Sequence, residues 1–309
     1  MRKLTARNGV LARWARRAPV VSTRAAFALL EHLGPSIGGL WAERLWFTVP
    51  PRARRPNRRE GQGRRIELSL HGHRMVAEAW GEGPPIFLMH GWGGRRGDLR
   101  AFVKPLVSVG YRVVALDGPG HGESENGPAG PGRATILEFS EALAILSAQE
   151  GPAHAVIAHS MGCMATAVAV RDGLVASRLV FLAPMAQVAP YTRVFASRAG
   201  FGERTRTRMA WRIERYIGMP LSAFDVPAMA QIMAPPPVLV VHDRDDTETA
   251  WSDGMAIAQA WPMARLITTT GLSHWHGLVD RQVIAQVVDF LSAPLQAESD
   301  RTIAASAKG

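Results

Sequence analysis

The sequence has a single cysteine, Cys163, and no apolar run that reaches the roughly 18 residues needed to cross a membrane. One cysteine excludes a disulfide framework and a cluster of thiolate metal ligands, so we expect Cys163 to be a buried packing residue. A secretory signal also fits poorly, because Arg24 and Glu31 interrupt the apolar stretch near the N-terminus. We therefore expect a cytoplasmic protein.

The excess of positive charge is confined to the N-terminal region. The 309 residues carry a formal net charge of +10, a value often found in nucleic-acid-binding proteins. Residues 1–66, however, hold 15 Arg and Lys against 3 Asp and Glu, whereas residues 67–309 hold 21 against 23. The body of the protein is nearly neutral, so the sequence gives no basis for a nucleic-acid partner.

Residues 1–65 differ in character from the rest and are predicted to be a basic helical extension with a linker. The apolar stretch Ala25–Leu30 and the aromatic residues Trp41 and Trp46 predict one or two helices, and the arginine-rich segment 52–65 predicts an exposed linker. Two arrangements are open for the helices. They pack on the body of the protein and bury the tryptophans, or they make peripheral contact with an anionic membrane surface.

Residues 66–309 are predicted to form one α/β domain. Two segments alternate between apolar and polar residues, as in a hairpin, and six later runs are continuously apolar, which indicates a parallel sheet buried on both faces. We predict a mostly parallel sheet of about eight strands flanked by helices. The predicted strands are Ile66–Leu70, Met75–Trp80, Ile86–Met89, Val113–Leu116, Ala155–Ala158, Leu179–Leu182, Val238–Val241 and Leu266–Thr270. The predicted helices are Leu99–Val109, Ala134–Ala148, Cys163–Gly173, Trp251–Trp261 and Gln282–Leu291.

The interval 184–237 is too long for a single crossover helix. Seven arginines alternate there with apolar residues such as Met209 and Trp211. We predict a small helical lid inserted after the sixth strand, over the carboxyl ends of the strands, where ligands bind in such sheets. Its arginines face solvent or an anionic substrate, and solvent is the commoner case.

The strongest functional signal lies between Ala155 and Met164. A predicted buried strand stops at Ser160 and a helix of small residues follows at once, with Ala158 and Gly162 two positions to either side. Small residues there permit the sharp strand–turn–helix called a nucleophile elbow, which leaves the amide of Met161 available to bind an oxyanion. The alternative is a serine that only caps a buried helix.

Candidate partners for this serine follow later strands. A nucleophilic serine needs a base, and the base needs a carboxylate that fixes its tautomer. The predicted seventh strand is followed by Asp243, Asp245 and Asp246, and the eighth by His274 and His276. The chain order Ser, Asp, His is the one used by α/β sheets with a nucleophile elbow. Which aspartate and which histidine act stays open at this point.

The glycine-rich turn Met89–Gly94, after the third strand, is the candidate source of a second oxyanion donor. Gly91, Gly93 and Gly94 allow the backbone to approach a substrate closely. Such a turn can also bind phosphate, but the chain has neither the GxGxxG pattern nor the Lys-Ser/Thr ending of nucleotide-binding loops.

With these residues identified, the chain from about residue 66 to 292 resembles the serine α/β-hydrolases, the group that includes esterases, lipases and perhydrolases. Three segments carry the resemblance: His90–Gly94, Asp117–Ser124 and the turn at Ser160. The second is the most distinctive, and in this family it is a structural turn near the site. His121 is therefore not assigned to catalysis.

The resemblance implies a catalytic triad and an oxyanion hole. It implies Ser160 as nucleophile, His274 as base and Asp246 as the orienting acid, with the backbone amides of Met161 and Trp92 binding the oxyanion. The supporting loop consists of His90, Gly91 and Gly93.

This sequence departs from the family pattern at three glycine positions. Ala158 replaces the first glycine of the elbow, and Asp243 and Ser273 replace glycines of the acid and base motifs. The departure at Asp243 keeps the choice among the three aspartates open.

The sequence thus predicts a serine hydrolase that cleaves a carboxylic ester or related acyl bond of a small molecule, with no cofactor or metal. Epoxide or haloalkane hydrolysis by this fold would require a carboxylate at position 160. Two alternatives are an acyltransferase with the same triad and a non-catalytic binding protein that keeps the fold.

Overall fold

The structure is a computed structural model that describes residues 20–51 and 63–294. The chain divides into two compact units. One, here called the sheet unit, comprises residues 49–186 and 225–309, and the other, the helical unit, comprises residues 1–48 and 187–224. Most of the predicted inserted segment therefore groups with the N-terminal helices.

The sheet unit is built on one eight-stranded sheet with the strand order β1-β2-β4-β3-β5-β6-β7-β8. The pairs β1/β2 and β2/β4 are antiparallel, and all other neighbouring strands are parallel. The predicted mostly parallel α/β sheet is thereby confirmed. The strands are β1 Arg64–Leu70, β2 His73–Trp80, β3 Pro85–Met89, β4 Arg112–Asp117, β5 Ala153–His159, β6 Ala176–Leu182, β7 Val238–Asp243 and β8 Ala264–Thr269.

Helices connect these strands and complete both units. Those of the sheet unit are α3 Val103–Ser108, α4 Ile136–Glu150, α5 Met161–Arg171, α8 Val226–Met229, α9 Trp251–Ala260, α10 Ser273–His276 and α11 Arg281–Ser292. Those of the helical unit are α1 Val20–Leu33, α2 Pro35–Trp46, α6 Ala189–Ala199 and α7 Glu203–Ile217. The 3-10 helices are Arg96–Phe102 and Leu221–Phe224.

Two of the predicted boundaries are wrong. The predicted helix Leu99–Val109 begins as the 3-10 turn Arg96–Phe102 before α3, because Arg96 at its start is bonded to Asp117. The predicted linker includes Arg64 and Arg65, but both belong to β1, since they pair with β2. The remaining linker residues 52–62, like residues 1–19, lie outside the described residues.

The strand register brings the carboxyl ends of the parallel strands to one edge of the sheet. Met89 at the end of β3 pairs with Ala158 of β5, and His159 pairs with Leu182 at the end of β6. Asp243 at the end of β7 pairs with Thr269 at the end of β8. The residues that follow these strands therefore meet at this edge, which positions the site described below.

The sheet is buried on both faces, as its continuous apolar strands predict. Every residue of β7 is buried, as are all but one of β5. Cys163 of α5 is fully buried and its Sγ lies 3.2 Å from the carbonyl oxygen of Ala158. Burial raises the pKa of this thiol well above its usual value, so Cys163 remains an unreactive packing residue.

In the helical unit, α2 runs in parallel along α7 with close backbone contact. A Cβ atom on Gly39 would lie 2.6 Å from the Cβ of Arg208, and one on Gly38 would lie 3.0 Å from the side chain of Thr205. Such distances leave no room for a side chain, so the two glycines allow these helices to touch. Aromatic rings join α1 to α2, with Phe27 stacked on Trp41 at 4.2 Å between ring centroids.

The carboxylate of Glu31, on α1, caps the N-terminus of α7. It accepts hydrogen bonds from the backbone N–H groups of Gly202, Arg204 and Thr205 at 2.9–3.1 Å. Gly202, the N-cap residue of α7, has no side chain that could accept these hydrogen bonds. A negative charge at this position satisfies donors that the helix leaves unpaired and favourably opposes its dipole.

No helix among the described residues is long and apolar enough to cross a membrane.

We predict that Glu31→Gln lowers the free energy of unfolding by about 1 kcal/mol at neutral pH, because the cap loses its charge. Burial raises the pKa of Glu31, but its hydrogen bonds with Thr205, Arg204 and Gly202 lower the pKa by more. The pKa of Glu31 is therefore below its usual value. The stabilisation is therefore complete above about pH 5 and is lost as the pH falls below about 4. Urea unfolding as a function of pH measures both effects.

The matched control is His32→Gln, at the exposed neighbouring position. Hydrogen exchange should also accelerate at the amides of residues 202–205 in Glu31→Gln alone. Equal stability of the two variants, with unchanged exchange in this turn, would contradict the capping role.

Candidate active site

Ser160 occupies a strained turn between β5 and α5. Its backbone has φ 55° and ψ −125°, a left-handed conformation that costs a residue with a side chain about 1–3 kcal/mol. The amide of Ser160 donates a 2.9 Å hydrogen bond to the carbonyl oxygen of Leu182, at the end of β6. Its side chain makes no capping bond to α5, so the alternative role as a helix cap finds no support. Ser160 is partly exposed.

The turn after β3 packs backbone against backbone on this elbow. A Cβ atom on Gly91 would lie 2.8 Å from the Cβ of Ser160, and one on Gly162 would lie 2.5 Å from the carbonyl oxygen of His90. Only glycine fits at either position. The amides of Trp92 and Met161, one on each side of this contact, donate to no acceptor within residues 20–51 and 63–294.

Two buried histidines hold the turn after β3 in place. His90 accepts a hydrogen bond from the amide of Gly118 at Nε2 and donates from Nδ1 to the carbonyl oxygen of Gly91. His121 accepts at Nε2 from the amide of Gly93, at 3.0 Å. Burial lowers the pKa of His90 below its usual value, which keeps the ring neutral and able to accept. Both rings therefore serve the loop's geometry.

Arg96 anchors the turn Asp117–Ser124. The buried guanidinium is ion-paired with Asp117, with Glu78 at 3.1 Å and with Glu123 at 2.6 Å. Sequence reasoning missed Arg96, because it belongs to no motif and its partners are distant along the chain. The network agrees with a structural role for this turn.

Asp246 and His274 are joined by a short hydrogen bond at the carboxyl edge of the sheet. His274 Nδ1 lies 2.7 Å from Asp246 Oδ2, and both side chains are buried. Burial raises the pKa of Asp246, but hydrogen bonds with His242 and His274 lower it more, to well below its usual value. The carboxylate is thus held ionised, and Nε2 is the ring nitrogen that remains for contact with a hydroxyl.

The competing residues are engaged elsewhere. Asp243 accepts from the hydroxyl of Thr269 at 2.7 Å and from the amide of Leu272, and Asp245 accepts from the amide of Gly271. Both therefore tie the loop after β7 to the loop after β8. His276 is exposed and lies 3.4 Å from the hydroxyl of its neighbour Ser273.

Thr249, which sequence reasoning missed, lies at the centre of the polar cluster. Its buried hydroxyl is 2.9 Å from Asp246 Oδ2, 3.2 Å from His274 Nδ1 and 3.1 Å from the carbonyl oxygen of Ala183. His242 also contacts this carboxylate, with Nε2 at 3.5 Å from Oδ2 and 3.3 Å from the hydroxyl of Thr249. Asp246 thus has three polar neighbours that hold its position.

His159 links His274 to the turn at Ser160. Its Nε2 donates a 3.0 Å hydrogen bond to the backbone carbonyl oxygen of His274, and the two rings lie 4.6 Å apart. Burial lowers the pKa of His159 well below its usual value, so it remains neutral. This hydrogen bond holds α10 against the end of β5, directly before Ser160.

No hydrogen bond joins the Ser160 hydroxyl to His274 in the described part of the chain. In unliganded active sites this bond is commonly long and forms fully only with substrate. The same part of the chain holds no group of three or more His, Cys, Asp and Glu side chains arranged to bind a metal ion.

Comparisons with known proteins agree with this architecture. The alpha/beta hydrolase family model matches residues 86–287. The pimeloyl-[acyl-carrier protein] methyl ester esterase of Methylococcus capsulatus is 39% identical over 105 residues, which are 33% of this chain and 38% of that protein. A serine hydrolase-like protein of Danio rerio is 33% identical over 87 residues, 28% of this chain and 26% of that protein. The matches thus span well under half the length of these curated relatives.

Solved structures agree on the fold. An esterase from Exiguobacterium antarcticum superposes with a TM-score of 0.57 and 14% identity, covering 75% of this chain and all of that one. The family match runs from β3 to α11 and includes the elbow, the loop after β3 and the polar cluster at the carboxyl edge. The chain therefore belongs to the alpha/beta hydrolase family.

Proposed function

We propose that this protein is a serine hydrolase that cleaves a carboxylic ester, or a related acyl bond, through an acyl-enzyme on Ser160. The observation that carries the proposal is the 2.7 Å contact between Asp246 and His274, at the same sheet edge as the strained turn of Ser160. An ionised carboxylate on Nδ1 holds the imidazole in the tautomer whose Nε2 can accept a proton.

In the proposed reaction, His274 Nε2 takes the proton of Ser160 as Oγ attacks the carbonyl carbon of the substrate. The imidazolium then gives this proton to the departing alcohol, which leaves the acyl group on Ser160. Water attacks the acyl-enzyme with His274 again acting as base, and the carboxylic acid and the free serine are released. Asp246 stabilises the imidazolium in both halves of the cycle.

The backbone amides of Met161 and Trp92 are proposed to bind the oxyanion of each tetrahedral intermediate. Their N–H groups make no internal hydrogen bond among the described residues, and the contacts of Gly91 and Gly162 bring their two segments together. Donors that are already in place stabilise the developing charge at no cost in reorganisation. His90, Gly91 and Gly93 support this arrangement by fixing the loop that carries Trp92.

Ester substrates are favoured over other acyl compounds by one relative. The Methylococcus capsulatus protein is named as a methyl ester esterase. We therefore propose a small-molecule ester as the substrate class of this chain.

We predict that Ser160→Ala and His274→Ala each lower kcat/KM for p-nitrophenyl butyrate by about 10⁴-fold or more, because each removes a group that acts on the reacting atoms. His276→Ala and Asp245→Asn are the matched controls, since both residues lie in the same loops, and each should change kcat/KM less than about threefold. Steady-state kinetics of folded, purified variants measures the effect. A loss in His276→Ala as large as in His274→Ala would contradict the assignment.

We predict that Thr249→Val lowers kcat by about 10- to 100-fold with little change in KM, because Asp246 and His274 lose a hydrogen bond that holds them in place. Thr249→Ser keeps the hydroxyl and should retain most of the activity. Kinetics over a range of pH measures both variants. If Thr249→Ser lost as much activity as Thr249→Val, packing of the methyl group and not the hydroxyl would be the cause.

A further inference from the structure

The turn between α1 and α2 exposes three large apolar side chains. Leu29 is 58% exposed, Leu33 77% and Ile37 64%. Leu29 and Leu33 lie one turn apart on α1 and so share a face. Ile37 lies in the first turn of α2, 3.6 Å from the position that a Cβ on Gly34 would take. These three residues are called the apolar tip.

One face of α7 carries exposed arginines and a tryptophan. Arg204, Arg208, Trp211 and Arg215 are spaced by four, three and four residues, which places them on one side of the helix, and all four are exposed. The guanidinium of Arg215 lies 5.3 Å from the ring centroid of Trp211. The opposite side, with Met209 and Ile213, is buried. The four exposed residues are called the arginine face.

The apolar tip and the start of the arginine face lie at the same end of the helical unit. Glu31, near the end of α1, accepts hydrogen bonds from the amides at the start of α7. On α2, Gly38 lies in the same first turn as Ile37 and packs on Thr205, in the first turn of α7. The turn between α1 and α2 therefore lies beside the N-terminus of α7, where the arginine face begins with Arg204.

The charge of this unit is strongly positive and is not balanced locally. Residues 20–48 and 187–224 hold nine arginines and four glutamates, with no aspartate or lysine. Each glutamate is already engaged within the unit: Glu31 with backbone amides, Glu43 with Arg212, Glu203 with Arg206 and Glu214 with the amide of Leu221. Residues 1–19 add six Arg and Lys and no acid.

We propose that the apolar tip and the arginine face dock the protein on a membrane surface rich in anionic phospholipid. Leucine and isoleucine side chains at the tip insert at the boundary between headgroups and acyl chains. Arginines pair with lipid phosphates, and tryptophan favours the interface between water and lipid. This role is independent of the proposed hydrolase activity.

The composition of the surface favours lipid over two other occupants. A nucleic acid would match the arginines but offers no apolar phase for Leu33 and Ile37. A second copy of the chain that brought two arginine faces together would place like charges opposite each other, which opposes association. A lipid surface offers an apolar phase to the apolar tip and phosphate groups to the arginine face.

The test is co-sedimentation of the full chain with phosphatidylcholine vesicles that contain either no phosphatidylglycerol or about 30 mol % of it. We expect binding to the anionic vesicles to be at least about tenfold tighter, and to weaken in about 0.5 M NaCl because salt screens the arginines. Equal binding to both vesicle types, or no binding to either, would overturn the proposal.

Two variants separate the contributions. Leu33→Gln/Ile37→Gln and Arg204→Gln/Arg208→Gln/Arg215→Gln should each weaken binding to the anionic vesicles by at least about tenfold. The control is Val175→Gln/Val279→Gln, which changes two apolar residues of the sheet unit that are 65% and 61% exposed, and it should bind like the original protein. Thermal unfolding and hydrolysis of p-nitrophenyl butyrate check that each variant is folded.

If Leu33→Gln/Ile37→Gln unfolds, vesicle binding by the arginine variant tests the proposal alone. That variant is expected to fold, because it changes only exposed side chains and keeps their Cβ atoms. Light scattering completes the test. A concentration-dependent dimer that disappears in Leu33→Gln/Ile37→Gln would assign the tip to self-association and overturn the proposal. If both variants bound anionic vesicles as tightly as the original protein, the proposal would also be overturned.

Discussion

The backbone at Ser160 is held in a conformation that a residue with a side chain avoids, and the surrounding structure has to maintain it. Three neighbours do so: the carbonyl oxygen of Leu182 accepts the amide of Ser160, Gly91 approaches its Cβ from the β3 loop, and Gly162 lets α5 begin against His90. Each contact comes from the end of a different parallel strand or from α5. The order and register of the strands are therefore what make this turn possible, and the proposed chemistry requires the turn.

A second constraint is the buried charge of Asp246. A carboxylate removed from water is costly unless its oxygens are hydrogen-bonded. Here His274, Thr249 and His242 surround Oδ2, while Oδ1 accepts from the amides of Glu248 and Thr249. The same bonds that stabilise the ion also fix the imidazole of His274. Stability and the proposed catalytic geometry thus depend on one set of contacts.

Features that depend on residues close together in the sequence could be predicted, and contacts between distant segments could not. Eight strands follow from continuous or alternating apolar runs, and the elbow follows from small residues around Ser160. Thr249 gives no local signal, because a lone threonine in a loop belongs to no motif. The cap formed by Glu31 on α7 joins residues about 170 positions apart, as does the packing of α2 on α7, so no local pattern indicates that the N-terminal helices and the inserted segment form one unit. Likewise, no local pattern indicates that Asp243 accepts hydrogen bonds from Thr269 and Leu272 whereas Asp246 contacts His274.

The most direct test of the account is to locate the nucleophile chemically. The protein would be inactivated with a fluorophosphonate, digested and mapped by tandem mass spectrometry, with the stoichiometry taken from the intact mass. The account predicts about one adduct per chain, on the Ser160 hydroxyl, as expected when a single serine is activated by an imidazole. An adduct on another residue, or no adduct in a folded protein, would contradict it.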